Sequence, residues 1–205
     1  MKRLPLLGLT FLAGCIFSTR APQPPDASAT FIWTPATTPG YLIQNLTGAL
    51  KILDAPDYKR VFISPTEAAS NGTMTFSFSP SSNISPSSRG IFTPSNWSVT
   101  NEGAWVTTLA GQLPPNSQIT LLLTDTVIDQ SANSASLSYN YVVYTPASTS
   151  SSVIPGVVQG SLQFQLAFIT TDEGTKEWRI VSWTDGLPRS GTGPTWSDLK
   201  VDLSS

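Results

Sequence analysis

The chain has no histidine and a single cysteine, Cys15, in 205 residues. The first absence removes the side chain that most often serves as a general base near neutral pH and as a metal ligand. The second removes any intrachain disulfide, even in a compartment that would permit one. Charge is scarce as well. Eleven Lys and Arg stand against 13 Asp and Glu, and charged residues make up 12% of the chain, so Ser, Thr, Asn and Gln carry most of the surface polarity. No basic run of five or more residues occurs. Nucleic acid needs phosphate-neutralising Lys and Arg, and anionic headgroups need a polybasic patch, so neither partner is expected. The G-x-S-x-G, H-E-x-x-H, P-loop and dinucleotide fingerprints are missing. Gly186 to Gly193 is rich in small residues but lacks the lysine and following helix of a phosphate cradle. Neither a cofactor nor a metal is therefore expected.

The apolar stretch Leu4 to Ala13 spans ten residues and is broken by Pro5, Gly8 and Thr10. It is too short to be a resident transmembrane helix. Lys2 and Arg3 precede it and small residues follow, which is the form of a secretory signal. The run Leu12-Ala13-Gly14-Cys15 resembles the lipobox of bacterial lipoproteins. That resemblance implies a signal peptide over residues 1–14, diacylglycerol on the Cys15 thiol and further acylation of its freed amine. The thiol is then consumed by lipid and is no longer a nucleophile. Each lipid chain contributes about 0.8 kcal/mol per buried CH₂, and two or more chains anchor far more firmly than one. The expected partner is thus a membrane, held through the anchor. Ile16 replaces the aspartate of an inner-membrane retention signal. The resemblance therefore implies the outer membrane, facing the periplasm, in a cell with two membranes. Residues 15–30, with Pro22, Pro24 and Pro25, read as the lipidated cysteine and an extended tether. Residues 31–205 read as one domain.

Within that domain, Phe31-Ile32-Trp33 reads as a short segment packing onto the rest. Thr38-Pro39-Gly40 opens a helix, with a threonine cap and proline at the first helical position. Leu42, Leu46, Ala49, Leu50 and Leu53 give it an apolar face that Gly48 weakens. Asp54 and Asp57 flank a turn as capping residues, and a second helix covers Tyr58 to Ile63. Met74 to Phe78 alternates like a strand, Ser79 to Arg89 is a loop, and Ile91-Phe92 returns as strand. Asn96 caps a third helix running to about Leu109, although Val99, Thr107 and Thr108 also suit a strand. The second half is β: Gln118 to Ile128, Ser136 to Tyr144, Val157 to Thr170 and Trp178 to Trp183. Their period of two indicates an antiparallel sheet with one face buried. Asp172 to Thr175 is a turn, and Thr145 to Pro155 a mobile loop. On the closing strand, strict alternation puts Trp178, Ile180 and Ser182 on one side and Arg179, Val181 and Trp183 on the other. Both sides then carry a large apolar group, so the strand should lie between helices and a covering segment that reaches Trp196.

Helices followed by a sheet make an α+β pattern. The run Glu177-Trp178-Arg179-Ile180-Val181-Ser182-Trp183-Thr184-Asp185 is similar to the W-x-I-x-x-W-x-D closing strand of small NTF2-like lipoproteins. Trp196-Ser197-Asp198-Leu199-Lys200 is similar to their ending. Cys15, Phe17-Ser18-Thr19-Arg20 and Pro24-Pro25 resemble their mature start, and Thr38-Pro39 to Phe62 their first two helices. The resemblance implies an NTF2-like (cystatin-like) cone, with N-terminal helices packed on a curved antiparallel sheet. A barrel needs about eight strands and a sandwich about seven, more than the five or six counted. The family hosts hydrolases, isomerases, ligand pockets and scaffolds, so its fold does not transfer function.

Carboxylates are the remaining chemical option. Asp125 and Asp129 lie four apart at a strand end, on one side with Val127, where they form a candidate acid–base pair or weak Ca²⁺ site set against a plain solvated strand end. Asp185 follows Trp183 and is expected to be an exposed strand-end residue. Trp33, Trp97, Trp105, Trp178, Trp183 and Trp196, with Tyr139 and Tyr141, form a candidate wall for an apolar ligand or a glycan, against ordinary core packing. Two readings follow. The first is a non-catalytic envelope lipoprotein that binds a small apolar ligand or an envelope protein. The second is a metal-independent enzyme using a buried carboxylate on a small hydrophobic substrate.

Overall fold

The computed structural model describes residues 31–93, 95–147, 154–189 and 192–204. Cys15, the signal segment and the tether lie outside them, as does most of the Ser/Thr run after Thr145.

Helix α1, Pro39–Lys51, starts as the sequence predicts: the Thr38 side chain accepts from Tyr41 N, and Leu42, Leu46, Ala49 and Leu50 are buried. Gly48 has a packing reason. A Cβ there would lie 2.3 Å from the Phe31 ring, so glycine seats Phe31 against the helix. Trp33 lies under the Arg60 guanidinium, 4.4 Å from its centroid, while Ile32 stays exposed. The opening segment therefore does pack on the domain.

Helix α2 covers Ala55–Arg60, three residues earlier than expected at each end, with Asp54 accepting from Asp57 N. The chain then leaves the helix because Phe62 bridges to Ile180 in a later strand. Helix α3, Pro65–Asn71, was not anticipated, although Ser64-x-x-Glu67 forms a reciprocal capping box. Strand β1 is only Ser77–Ser79. Helix α4, Pro86–Arg89, and a 3₁₀ turn, Gly90–Phe92, replace the expected loop and strand. Helix α5, Val99–Gln112, is capped by Ser98 with Asn101 as its partner, not by Asn96. Strands β2 (Thr120–Gln130), β3 (Ser134–Tyr144), β4 (Val157–Thr170) and β5 (Lys176–Gly186) follow, and helix α6, Trp196–Leu203, closes the chain.

The sheet order is β1-β5-β4-β3-β2. The α+β expectation of helices packed on a sheet is met. The expected cone is not formed: the sheet is open, with β1 and β2 at its two ends, and is not strongly curled. The curvature was carried over from family resemblance. The central pair, β3 with β4, is regular through eleven consecutive residues, and the bulges in β2 and β5 leave the sheet open. The sheet is also mixed, since β1 runs parallel to β5. The β5 side is covered along its length. Trp178 N donates to Ala36 O, Ile180 exchanges bonds with Val61 and Ile63, and β1 pairs with Ser182 to Thr184.

One irregularity decides the core. Leu166 pairs with Ile180 and Gln165 with Ser182, so Val181 is an extra residue in β5. This bulge breaks the strict alternation expected for the closing strand. Ile180 and Trp183 now share the inner face, opposite Leu166 and Phe164, and all four are buried. The outer face is left to Ser136, Ser138, Asn140, Gln163, Gln165 and Thr184, none of them buried.

Candidate functional site

The inner face of the sheet and the helices above it enclose a polar cluster inside an aromatic shell. Its centre is an ion pair. Lys200 of α6 donates to Glu102 of α5 at 2.7 Å, and both side chains are fully buried. The other Glu102 lone pairs are taken: Trp97 Nε1 donates at 2.7 Å, Trp105 Nε1 at 3.0 Å and the Tyr58 hydroxyl at 3.1 Å. The ammonium also lies 3.7 Å from the Phe78 centroid and 3.8 Å from that of Trp183. Burial lowers the Lys200 pKa to about 8 against the pull of Glu102 and Asp185. Burial raises that of Tyr58, as does the Glu102 charge beside it.

A second node caps α6. Asp185 Oδ2 accepts from Ser197 N at 2.8 Å and from the Ser197 hydroxyl, and Oδ1 accepts from the Tyr141 hydroxyl at 2.8 Å. The Tyr141 oxygen in turn accepts from Trp196 N at 2.7 Å. Tyr141 and Asp185 thus take the first two backbone donors of α6, which no residue inside the helix can satisfy. Burial raises the Asp185 pKa, against hydrogen bonds from Ser197 and Tyr141 that favour the carboxylate. Gly160 makes room for this node: a Cβ there would meet Gly186 O at 2.4 Å and the Tyr141 hydroxyl oxygen at 2.6 Å.

The expected exposure of Asp185 is corrected here: it is 3% exposed, because α6 folds over the strand end. Trp105, Trp183 and Trp196 take the alternative of core packing and meet edge to face, with centroids 4.7 Å apart for Trp183–Trp196 and 6.1 Å for Trp105–Trp196. These rings pack on one another and fill the space. Trp178 packs on Phe168 near the far end of β5, Trp97 on Phe92, and Trp33 near the surface. Tyr139 and Tyr141 do share the inner face of β3, as expected.

Asp125 and Asp129 do not form a working pair. A bulge between Thr124 and Val127 shifts the register, and Asp125 sits there at φ 53°. It accepts from Asn140 Nδ2 and lies 3.9 Å from Arg189, whereas Asp129 faces Ser136. Among the described residues no group of three or more His, Cys, Asp or Glu is placed to hold a metal. Sequence reasoning missed Glu102, Lys200 and Tyr58. The available signal was a charge at an inward helical position in each helix, Glu102 between Trp97 and Trp105, and Lys200 one turn after Trp196.

Three hollows stand out among the described residues. One of about 510 Å³ lies between α2, α3 and the turn at Thr171 to Glu173. At its base Arg179 is held by Glu177 at 2.8 Å and Glu67 at 3.3 Å. One of about 340 Å³ reaches Asp185 from the Asp125 side. The third, about 570 Å³, lies between α5, the 3₁₀ turn and the end of α6.

Neither a protein-family model nor a curated protein sequence matches this chain. Several solved structures are similar to it. A proposed aromatic ring hydroxylase from Novosphingobium aromaticivorans is 15% identical, over 77% of this chain and 91% of that one, with a TM-score of 0.49. A proposed dehydratase of the NTF2-like family from Streptomyces avermitilis is 12% identical, over 74% and 94%, with a TM-score of 0.47. A protein of unknown function with a cystatin-like fold from Nostoc punctiforme is 9% identical, over 73% and 87%, with a TM-score of 0.44. Two of these three are described as NTF2-like or cystatin-like, and at this depth the likeness brings neither an activity nor a residue role to this chain.

Proposed function

We propose that this chain is a lipid-anchored envelope protein whose folded part is a non-catalytic scaffold that meets its partners on its outside. One observation carries the scaffold reading: the space between helices and sheet is filled. Trp105, Trp183, Trp196 and Lys200 are buried there, and each ionised group among them is matched by a fixed partner. Catalysis needs a carboxylate or amine with capacity left for a substrate. Glu102 has a donor for each of its four lone pairs, all from the protein; Asp185 has three donors and keeps one acceptor position, on which the second reading below depends. An apolar fluorescent probe should therefore show no saturable binding to the folded chain. Saturable binding that quenches indole emission would mean the interior opens, and would sink the scaffold reading. The anchor rests on the Leu12 to Cys15 resemblance. Cys15→Ser should abolish acylation and release the protein from membrane fractions; lipid and membrane association that survive the change would overturn it.

A second reading keeps Asp185 as the buried carboxylate of a metal-independent enzyme. Its support is that Asp185 borders the 340 Å³ hollow and that burial raises its pKa, as suits a general acid or base. The two readings separate on Asp185→Asn. A structural Asp185 loses stability with no lost turnover, whereas a catalytic one loses turnover and keeps or gains stability.

A further inference from the structure

We propose that Asn71-Gly72 is a deamidation site that the fold holds closed, that it reacts only when α3 lifts off the end of β4, and that the product keeps α3 from closing again. It is the single Asn-Gly pair in the chain. The reaction needs only water. The Gly72 backbone nitrogen attacks Asn71 Cγ, the Cγ–Nδ2 bond breaks, ammonia leaves with the proton of the attacking nitrogen, and a five-membered imide remains. Water then opens the imide at either carbonyl, giving aspartate or isoaspartate. Glycine favours the attack because it has no Cβ to crowd the approach and its backbone is free to turn.

In the closed fold both reacting groups are engaged. The Asn71 carboxamide lies along Thr170, the last residue of β4: Oδ1 accepts from Thr170 N at 2.9 Å, and Nδ2 donates to Thr170 O at 2.8 Å. Nδ2 also donates to Glu67 O at 2.8 Å, one turn back in α3. The Gly72 nitrogen is the C-cap donor of α3 and bonds to Ala69 O. Cyclisation therefore has to break the pairing with Thr170 and the last turn of α3 together. Such an opening is local. Helix α3 has seven residues, too few to persist alone, and of its side chains only Glu67 and Ala68 are buried. Besides Asn71, its ties are the Ser64–Glu67 capping box and the 3.3 Å pair of Glu67 with Arg179.

The product does not fit the closed joint. A carboxylate has no N–H, so Thr170 O and Glu67 O each lose a donor and meet a negative charge in its place. That charge also stands at the C-terminal end of α3, where the helix dipole is negative. Isoaspartate adds one carbon to the backbone as well. The consequence reaches the hollow of about 510 Å³, because α3 carries Glu67 to its base beside Arg179. The reaction thus turns a passing opening of this wall into a lasting one, in one direction only. It rests on neither the anchor at Cys15 nor the filled interior.

The test holds the full chain at mildly alkaline pH, folded in detergent and unfolded in guanidinium chloride. The peptide carrying Asn71 is followed by chromatography and mass spectrometry, which separate the asparagine, aspartate and isoaspartate forms. In the unfolded chain Asn71 should convert faster than any other asparagine, and in the folded chain more slowly by on the order of tenfold or more. Ser64→Ala removes the side chain that accepts from Glu67 N. It should speed conversion of the folded chain about fivefold, the factor that losing an ordinary cap gives, and leave the unfolded rate unchanged. Asn71→Asp supplies the product directly and should raise amide hydrogen exchange in α3 by on the order of tenfold, with α5 and α6 unchanged. Equal rates in the folded and unfolded chain overturn the proposal. So does a Ser64→Ala chain that converts no faster than the parent, or an Asn71→Asp chain whose α3 exchanges as slowly as before.

Discussion

Replacing Lys200 with Met keeps the length and most of the volume of the side chain and removes its charge. In the native chain that charge meets Glu102 at 2.7 Å and lies within 4 Å of two ring centroids. After the change Glu102 keeps three neutral donors but has lost its counter-ion in a site without solvent. Removing one partner of a buried pair typically costs about 3–5 kcal/mol, because the other charge is left uncompensated. A domain of this size has about 5–15 kcal/mol in total. With a urea m-value of roughly 2 kcal/mol per molar, the unfolding midpoint of a form lacking residues 1–15 should fall by on the order of 2 M. The double change Lys200→Met with Glu102→Gln should be less destabilising than the sum of the two single changes, since the orphaned charge is then gone. A Lys200→Met midpoint within about 0.3 M of the parent, by this same m-value reckoning, would refute the claim that the pair holds α6 in place.

Asp185→Asn should cost about 1–3 kcal/mol by urea unfolding, through lost charge-assisted bonds to Ser197 and the lost anion at the start of α6; an unchanged midpoint would return Asp185 to the exposed role first expected. Gly160→Ala should cost about 2 kcal/mol or more, because the clash is with backbone and a hydrogen-bonded tyrosine rather than a flexible tip; a neutral result would mean the β4–β5 pair can spread.

Much of the fold was legible because local rules and tertiary demands agreed. Thr38-Pro39 starts α1, and the three- and four-residue spacing of Leu42 to Leu50 fixes its buried face. Alternation in β3 and β4 places Leu137, Tyr139, Tyr141, Leu162, Phe164 and Leu166 inside. The closing strand defeated the same rule because one extra residue, Val181, reverses the sides of everything after it, and a single insertion leaves no mark in periodicity. The Ser64-x-x-Glu67 box that opens α3 stood in the sequence, yet the helix was not anticipated. Curvature was not readable at all, since element order does not set where a sheet bends. The central ion pair was hidden for another reason. A charged residue within an amphipathic helix is read as facing solvent, and only the fold brings Lys200 to a glutamate 98 positions earlier.

The placement of α6 explains why so many reactive-looking groups are buried. An eight-residue helix is too short to persist alone, so its stability must come from outside itself. Its first donors go to Tyr141 and Asp185, from two different strands. Its middle is held by Glu102, and its first side chain, Trp196, is wedged against Trp105, Tyr141 and Trp183. Each of these ties uses a polar group that an active site would have kept free. Their perturbed pKa values then follow from burial in a structural joint, and perturbation alone does not distinguish such a joint from a catalytic centre. Unspent capacity does distinguish them. By that measure Glu102 is spent, with a donor for each of its four lone pairs, whereas Asp185 has three donors and one lone pair left beside the 340 Å³ hollow, so its substitution is the one that tells the two roles apart.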